Sequence, residues 1–240
     1  MTDDGLIQLA QEFATTISET VRALVPTCAP FTARAVGTRV TVEQSPATGI
    51  PLCVKRQPLL TLSVSFRCEL DSSRRFLAVS SSSFKVFAGA SAAGEPLFRY
   101  DYERQPSSQI PGAHLQVHAH RDAITWAMSQ AGTATPRGRR RAGANDVPRL
   151  AELHFPLGGH RFRPCLEDLL EMLVSELGVD STAEGLEALR DGRERWRRQQ
   201  ARSVVRDAPG EAVALLEELG YEVTPPAPTP PGNAERLRDL

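Results

Sequence analysis

Leu60-Thr61-Leu62-Ser63-Val64-Ser65-Phe66-Arg67-Cys68-Glu69-Leu70 alternates apolar and polar side chains without a break. Successive side chains of a β-strand point to opposite faces, so the segment reads as a strand with one core face and one polar face. Working outward, shorter strand signals are expected at 36–42, 75–80, 84–88, 97–102 and 113–120, with a brief alternating run at 150–155. Asp71-Ser72-Ser73, Gly89, Gly94-Glu95-Pro96 and the stretch 106–111 supply turn chemistry between them. Such short connections favour antiparallel neighbours, because a parallel crossover needs a dozen or more residues.

The flanks are helical. Leu6, Leu9, Phe13, Ile17, Val21 and Leu24 recur at helical spacing before Pro26. Asp122 is placed to cap a helix through Gln130, and Gly132 would end it. A later helix starts near Pro164, with Leu166, Leu169, Leu170, Leu173 and Leu177 as its stripe before Gly178. Ser181 with Glu184 suggests a capping box for a long helix to about Arg206, and Pro209 opens another. The expected fold class is α+β: an N-terminal helix, a central antiparallel β-meander and a helical C-terminal half. The expected organisation is an α+β unit over 1–160, a helical region over 161–224 packed on it, and a proline-rich disordered tail over 225–240.

Composition narrows the function classes. The 240 residues carry a formal net charge of −1, which gives no global field toward nucleic acid or membrane. No apolar run approaches the roughly 20 residues that cross a bilayer. The acidic Met1-Thr2-Asp3-Asp4 start is unlike an export signal, so a cytoplasmic location is expected. Cys28, Cys53, Cys68 and Cys165 form no CxxC pair, which argues for reduced, buried thiols rather than a zinc ribbon or disulfide scaffold. Lys55 and Lys85 are the only lysines among 28 basic residues, a bias suggesting a GC-rich bacterial genome.

The chemistry concentrates on the strand at 113–120. His114, Gln116, His118 and His120 share one face, with Leu115, Val117 and Ala119 on the other. Residues two apart lie roughly 7 Å apart at Cα, so His118 and His120 suit one small ion or one phosphate. A neutral imidazole pair fits a divalent metal, and it fits acid–base catalysis equally well. Asp101, Asp122, Glu152 and His154 are the candidates for further ligands. If strands 97–102 and 113–120 pair, Arg99 and Asp101 join the same face: Arg99 to stabilise developing negative charge, Asp101 to orient an imidazole. No cofactor is indicated.

Gly112-x5-His118-x-His120 is similar to the opening of the cupin metal motif, but Ile124 and Thr125 stand where cupins place a glutamate, so a cupin is rejected. Phe98-Arg99-Tyr100-Asp101 followed by His118-x-His120 resembles the Arg-Tyr-Asp and His-x-His pattern of TumE-type toxins from bacterial toxin–antitoxin pairs. The resemblance implies a toxin-like enzyme acting on RNA or nucleotide phosphates, with His118, His120, Arg99 and Asp101 as its site and an antitoxin-like protein as partner. The helical C-terminal half is additional to that pattern. The alternative is a non-catalytic interaction or regulatory protein that binds a partner through this half.

Two further features are weaker. Arg137, Arg139, Arg140 and Arg141 form a basic loop, and Arg190–Arg202 is a basic helix carrying Trp196. Arginines attract phosphates and Trp stacks on bases, although Asp191 and Glu194 offer internal partners and Trp196 a core anchor. Gly158-Gly159-His160 is either a turn or a small anion cradle.

Overall fold

The computed structural model describes residues 3–37, 39–45, 47–71, 74–106, 110–119, 122, 125, 139–140, 147–152 and 154–239. Helix α1 (Asp3–Arg22) precedes seven strands: β1 (Phe31–Val36), β2 (Arg39–Gln44), β3 (Ile50–Val54), β4 (Gln57–Leu70), β5 (Leu77–Ala88), β6 (Phe98–Glu103) and β7 (Ala113–Val117). A two-residue strand, β8 (Phe155–Pro156), follows a single 3₁₀ turn at Leu150–Glu152. Helices α2 (Gly159–Phe162), α3 (Leu166–Leu177), α4 (Ala183–Asp207), α5 (Pro209–Glu218) and α6 (Ala234–Arg238) follow it. The fold is α+β, and every strand pairing is antiparallel.

The alternating segment is the hub. β4 carries two neighbours on one edge, β2 against residues 65–68 and β3 against residues 57–62, with β5 along the other edge. Leu60, Leu62, Val64, Phe66 and Cys68 are all buried in the core with Phe84 and Val86 of β5. Apolar residues of α1 and α3, with Leu189 of α4, cover this face. The centre of the α1 contact is small: Ala10 and Ala14 are fully buried, while Phe13 is half-buried beside them. The two alanines let the helix backbone approach the sheet. Ser18 Oγ accepts from Phe31 N at 2.8 Å and donates to Ala14 O at 2.7 Å, joining α1 to β1.

Several expected boundaries move. The run 36–42 straddles a turn at Gly37 (φ 62°) and belongs to two strands. The segments 75–80 and 84–88 are one strand, because Ser81, Ser82 and Ser83 pair in the ladder with β4 rather than breaking it. β3 was not anticipated, being short and containing Pro51. The 113–120 strand ends at Val117, and of the 150–155 run Leu150–Glu152 is the 3₁₀ turn while Phe155 returns to the sheet in β8. Thr182, not Ser181, caps α4 by accepting from Gly185 N at 3.0 Å. The helix expected at 122–130 falls outside the described residues except at Asp122 and Thr125. The tail expected to run disordered carries α6 and folds back: Asn233 N donates to Asp207 O, and Arg236 donates to Arg104 O. No helix among the described residues is long and apolar enough to cross a membrane.

The link between α3 and α4 also clamps the β3–β4 hairpin. Lys55 and Arg56 occupy its turn at φ 51° and 64°, a left-handed conformation that costs a side-chain-bearing residue about 1 kcal/mol. Asp180 compensates, its carboxylate accepting from Lys55 N at 2.9 Å and Arg56 N at 2.7 Å. Asp180→Ala is therefore expected to lower the unfolding free energy by about 1–2 kcal/mol in a urea titration. Arg56→Gly should move it the opposite way by about 1 kcal/mol, since glycine accepts positive φ without strain.

Candidate functional site

Pairing of β6 with β7 sets Arg99 opposite Gln116 and Asp101 opposite His114, and pairing of β5 with β6 adds Ser83 opposite Asp101. The expected sharing of a face by Arg99, Asp101 and the histidine strand is thus observed. Asp101 accepts from Ser83 Oγ at 2.6 Å and forms an ion pair with Arg99 Nε at 2.9 Å. Arg99 Nε also donates to Gln116 Oε1 at 2.6 Å. That bond fixes the Gln116 amide, whose nitrogen then donates to Ala151 O and to His154 Nε2, each at 2.8 Å. His154 must accept at Nε2, so it carries its proton on Nδ1 and donates to Glu152 O at 2.9 Å.

His114 and His154 lie against each other, ring centroids 4.6 Å apart. His114 donates from Nδ1 to Pro111 O at 2.9 Å, with Nε2 3.8 Å from the Asp101 carboxylate. Both rings are therefore engaged in holding the Gln116–Arg99–Asp101 chain in place.

His118 stands apart from this network. The ladder continues one bond beyond β7, His118 N donating to Leu97 O at 2.8 Å, so alternation carries its ring to the face of Gln116. His118 Nδ1 donates to Glu95 Oε1 at 2.8 Å. Its Nε2 is buried with no hydrogen-bond partner among the described residues, although the Glu95 side chain is 68% exposed. Most buried polar atoms in folded proteins have a hydrogen-bond partner, so this nitrogen is unusual. His120 lies outside the described residues.

Among the described residues, no three His, Cys, Asp or Glu side chains form a group that could hold a metal ion. Of the proposed further ligands, Asp101 and His154 enter the polar network, Glu152 contributes its carbonyl to it, and Asp122 is exposed. The cysteines are free, and three are buried. Burial, reinforced by Glu69, pushes the Cys68 thiol up to about 12, and burial likewise raises Cys165. Neither supplies a thiolate nucleophile at neutral pH.

The basic helix divides in two. Arg193 is committed to Asp168, at 2.7 Å, and to Glu171; Arg190 pairs with Glu187 and Arg198 with Glu194. Asp191 makes no such pair among the described residues, whereas Trp196 and Arg197 line a cleft. Arg137 and Arg141 of the basic loop lie outside the described residues.

His160 is no anion cradle. It is buried, its Nδ1 accepting from Tyr102 Oη at 3.1 Å and its Nε2 donating to Asp239 at 3.2 Å. Burial first, then the charge of Arg236, depress its pKa below the ordinary 6.5 despite the Asp239 carboxylate. The unfolded chain then binds the proton more readily, so stability falls as pH drops from about 6.5 through the folded value. A His160→Gln protein should show a flatter melting-temperature profile across that window in calorimetry.

No family model, curated protein or solved structure matches the chain. Site membership must therefore be argued from geometry. The sequence reading missed Glu95 and the positioning roles of Gln116, His114 and His154. Glu95 was accessible in principle, since β7 antiparallel to β6 must end beside the turn that precedes β6.

Proposed function

We propose that this chain is an enzyme acting on RNA or nucleotide phosphates, with His118 as its proton-transfer group. The observation that carries the reading is the His118 ring, oriented by Glu95 through Nδ1 and presenting a buried, unpartnered Nε2. A carboxylate at Nδ1 sets the tautomer and leaves Nε2 as the base, the arrangement acid–base catalysis requires. Arg99 lies diagonally across the strand pair, roughly 7–8 Å away. Its Nε is fixed by Asp101 and Gln116, while its terminal nitrogens have no hydrogen-bond partner among the described residues. They form the fork that would neutralise charge gathering on a phosphoryl group. Asp101 positions Arg99, and His120 belongs to the pair by sequence position. The resemblance to TumE-type toxins points to the same chemistry and to an antitoxin-like partner in a bacterial cytoplasm.

The test is incubation of the purified chain with a labelled single-stranded oligoribonucleotide and, separately, with a nucleoside triphosphate. Product formation that disappears in His118→Ala is expected. No product from either substrate, or an activity indifferent to His118, overturns the reading. A partner-binding role is favoured by one observation, the exposure of Leu215, Leu216, Leu219 and Tyr221 on and after α5. A stoichiometric protein complex lost on Leu215→Asp, in a chain without activity, would support that role instead.

A further inference from the structure

On the helical side of the sheet, α2 and α4 border a cleft of about 400 Å³. Its walls include Phe162, Pro164, Trp196, Arg197, Gln200 and Val204. Trp196, Gln200 and Val204 are spaced by four on α4 and therefore line one face of it. Opposite, Phe162 ends a four-residue helix and is 72% exposed, a phenyl ring left mostly uncovered. Large exposed apolar groups rimmed by polar ones mark binding surfaces.

The charges around the cleft are unequal. Arg161 is committed to Asp207 at 2.6 Å. Arg163 lies over the Tyr102 ring at 3.7 Å, donates to His160 O, and backs the Trp196 ring at 5.8 Å. Arg197 is different: its side chain is 64% exposed and its contact with Asp168 is long, 3.4 Å. One cation at the rim is thus able to turn to a ligand. Inside, Gln200 Oε1 is buried and accepts no hydrogen bond among the described residues.

We infer that this cleft binds a nucleotide unit, its base against Phe162 and Trp196, a base N–H donated to Gln200 Oε1, and its phosphate on Arg197. Each part of the ligand answers a separate feature. A flat ring covers the exposed aromatic surface, an N–H satisfies the orphaned amide oxygen, and an anion pairs with the loosely held guanidinium. A purely aliphatic peptide would leave Gln200 and Arg197 unanswered. The site is distinct from the His118 face, so it does not depend on the proposed catalysis.

The test uses the full chain, titrated with AMP by calorimetry and with a labelled short oligoribonucleotide by anisotropy, inorganic phosphate serving as the competitor. Each titration is repeated in His118→Ala, where cleavage of the probe is removed and unchanged affinity is expected. Phe162→Ala and Arg197→Glu should each weaken binding about tenfold or more, the scale of one lost stacking or phosphate contact. Phe162 is too exposed for its removal to disturb the fold, which a melting curve verifies. Binding of AMP identifies a free nucleotide as sufficient, and binding of the oligonucleotide alone identifies nucleic acid; both support the site. Absence of saturable binding by either probe, wild-type affinity in both variants, or displacement of AMP by phosphate at equal concentration would overturn it.

Discussion

His118→Ala is expected to reduce turnover of RNA or nucleotide phosphate by about 10²–10⁴-fold, the range for loss of a positioned general acid or base. Folding should survive, because the ring's described partner, Glu95, is mostly exposed and can be rehydrated. The ring itself is largely buried, its side chain 13% exposed, and each 1 kcal/mol lost with it lowers the melting temperature by about 2–4 °C in a chain of this size. Glu95→Gln offers the finer comparison. The amide oxygen still accepts from Nδ1, so the ring keeps its orientation but loses the charge that supports its protonated form. A loss smaller than that of His118→Ala is expected. An equal loss would mean that Glu95 itself reacts, and no loss would remove it from the site.

Gly185→Ala should be the most damaging added methyl among the described glycines, costing about 3 kcal/mol, the upper part of the range for overpacking. A Cβ at this position would stand well inside contact with the Ala23 carbonyl oxygen and 3.3 Å from its carbon. Alanine's helix preference returns only about 1 kcal/mol. The obstacle is backbone at the end of α1, so no side-chain rotation relieves it. Relief requires α4 to withdraw from α1, taking Leu189 out of the core. Gly210→Ala is the control, since a Cβ there meets nothing within 4 Å. Urea titrations should show a large loss for the first and none for the second; equal stabilities would mean the α1–α4 approach is readily rearranged.

Strand period carried most of the fold from sequence. β4 was legible because from Leu60 to Leu70 its core-side positions are all apolar and the positions between them all polar, and β6 and β7 followed from the same alternation. The turn residues gave antiparallel pairing, which in turn placed Arg99 and Asp101 beside the histidine face. What stayed hidden was non-local. β3 has five residues, one a proline, and exists because the first half of β4 offers it an edge. The serine run at 80–83 looks like a break until β4 and β6 flank it. Which histidine faces a carboxylate and which is tied into the sheet depends on Pro111, Ala151 and Glu152 carbonyls, and backbone acceptors leave no trace in a pattern of side chains.

Thr20 donates to Glu167 across 147 positions of chain, and Gly185 lies against Ala23. Helix α1 thus has one flank that only segments from Glu167 onward can cover. The sheet is able to assemble against α1 early, but that flank stays wet until synthesis has passed the start of α4. A helix made before the sheet is thus completed after it, and a product cut short of α4 would display a surface that the folded protein hides.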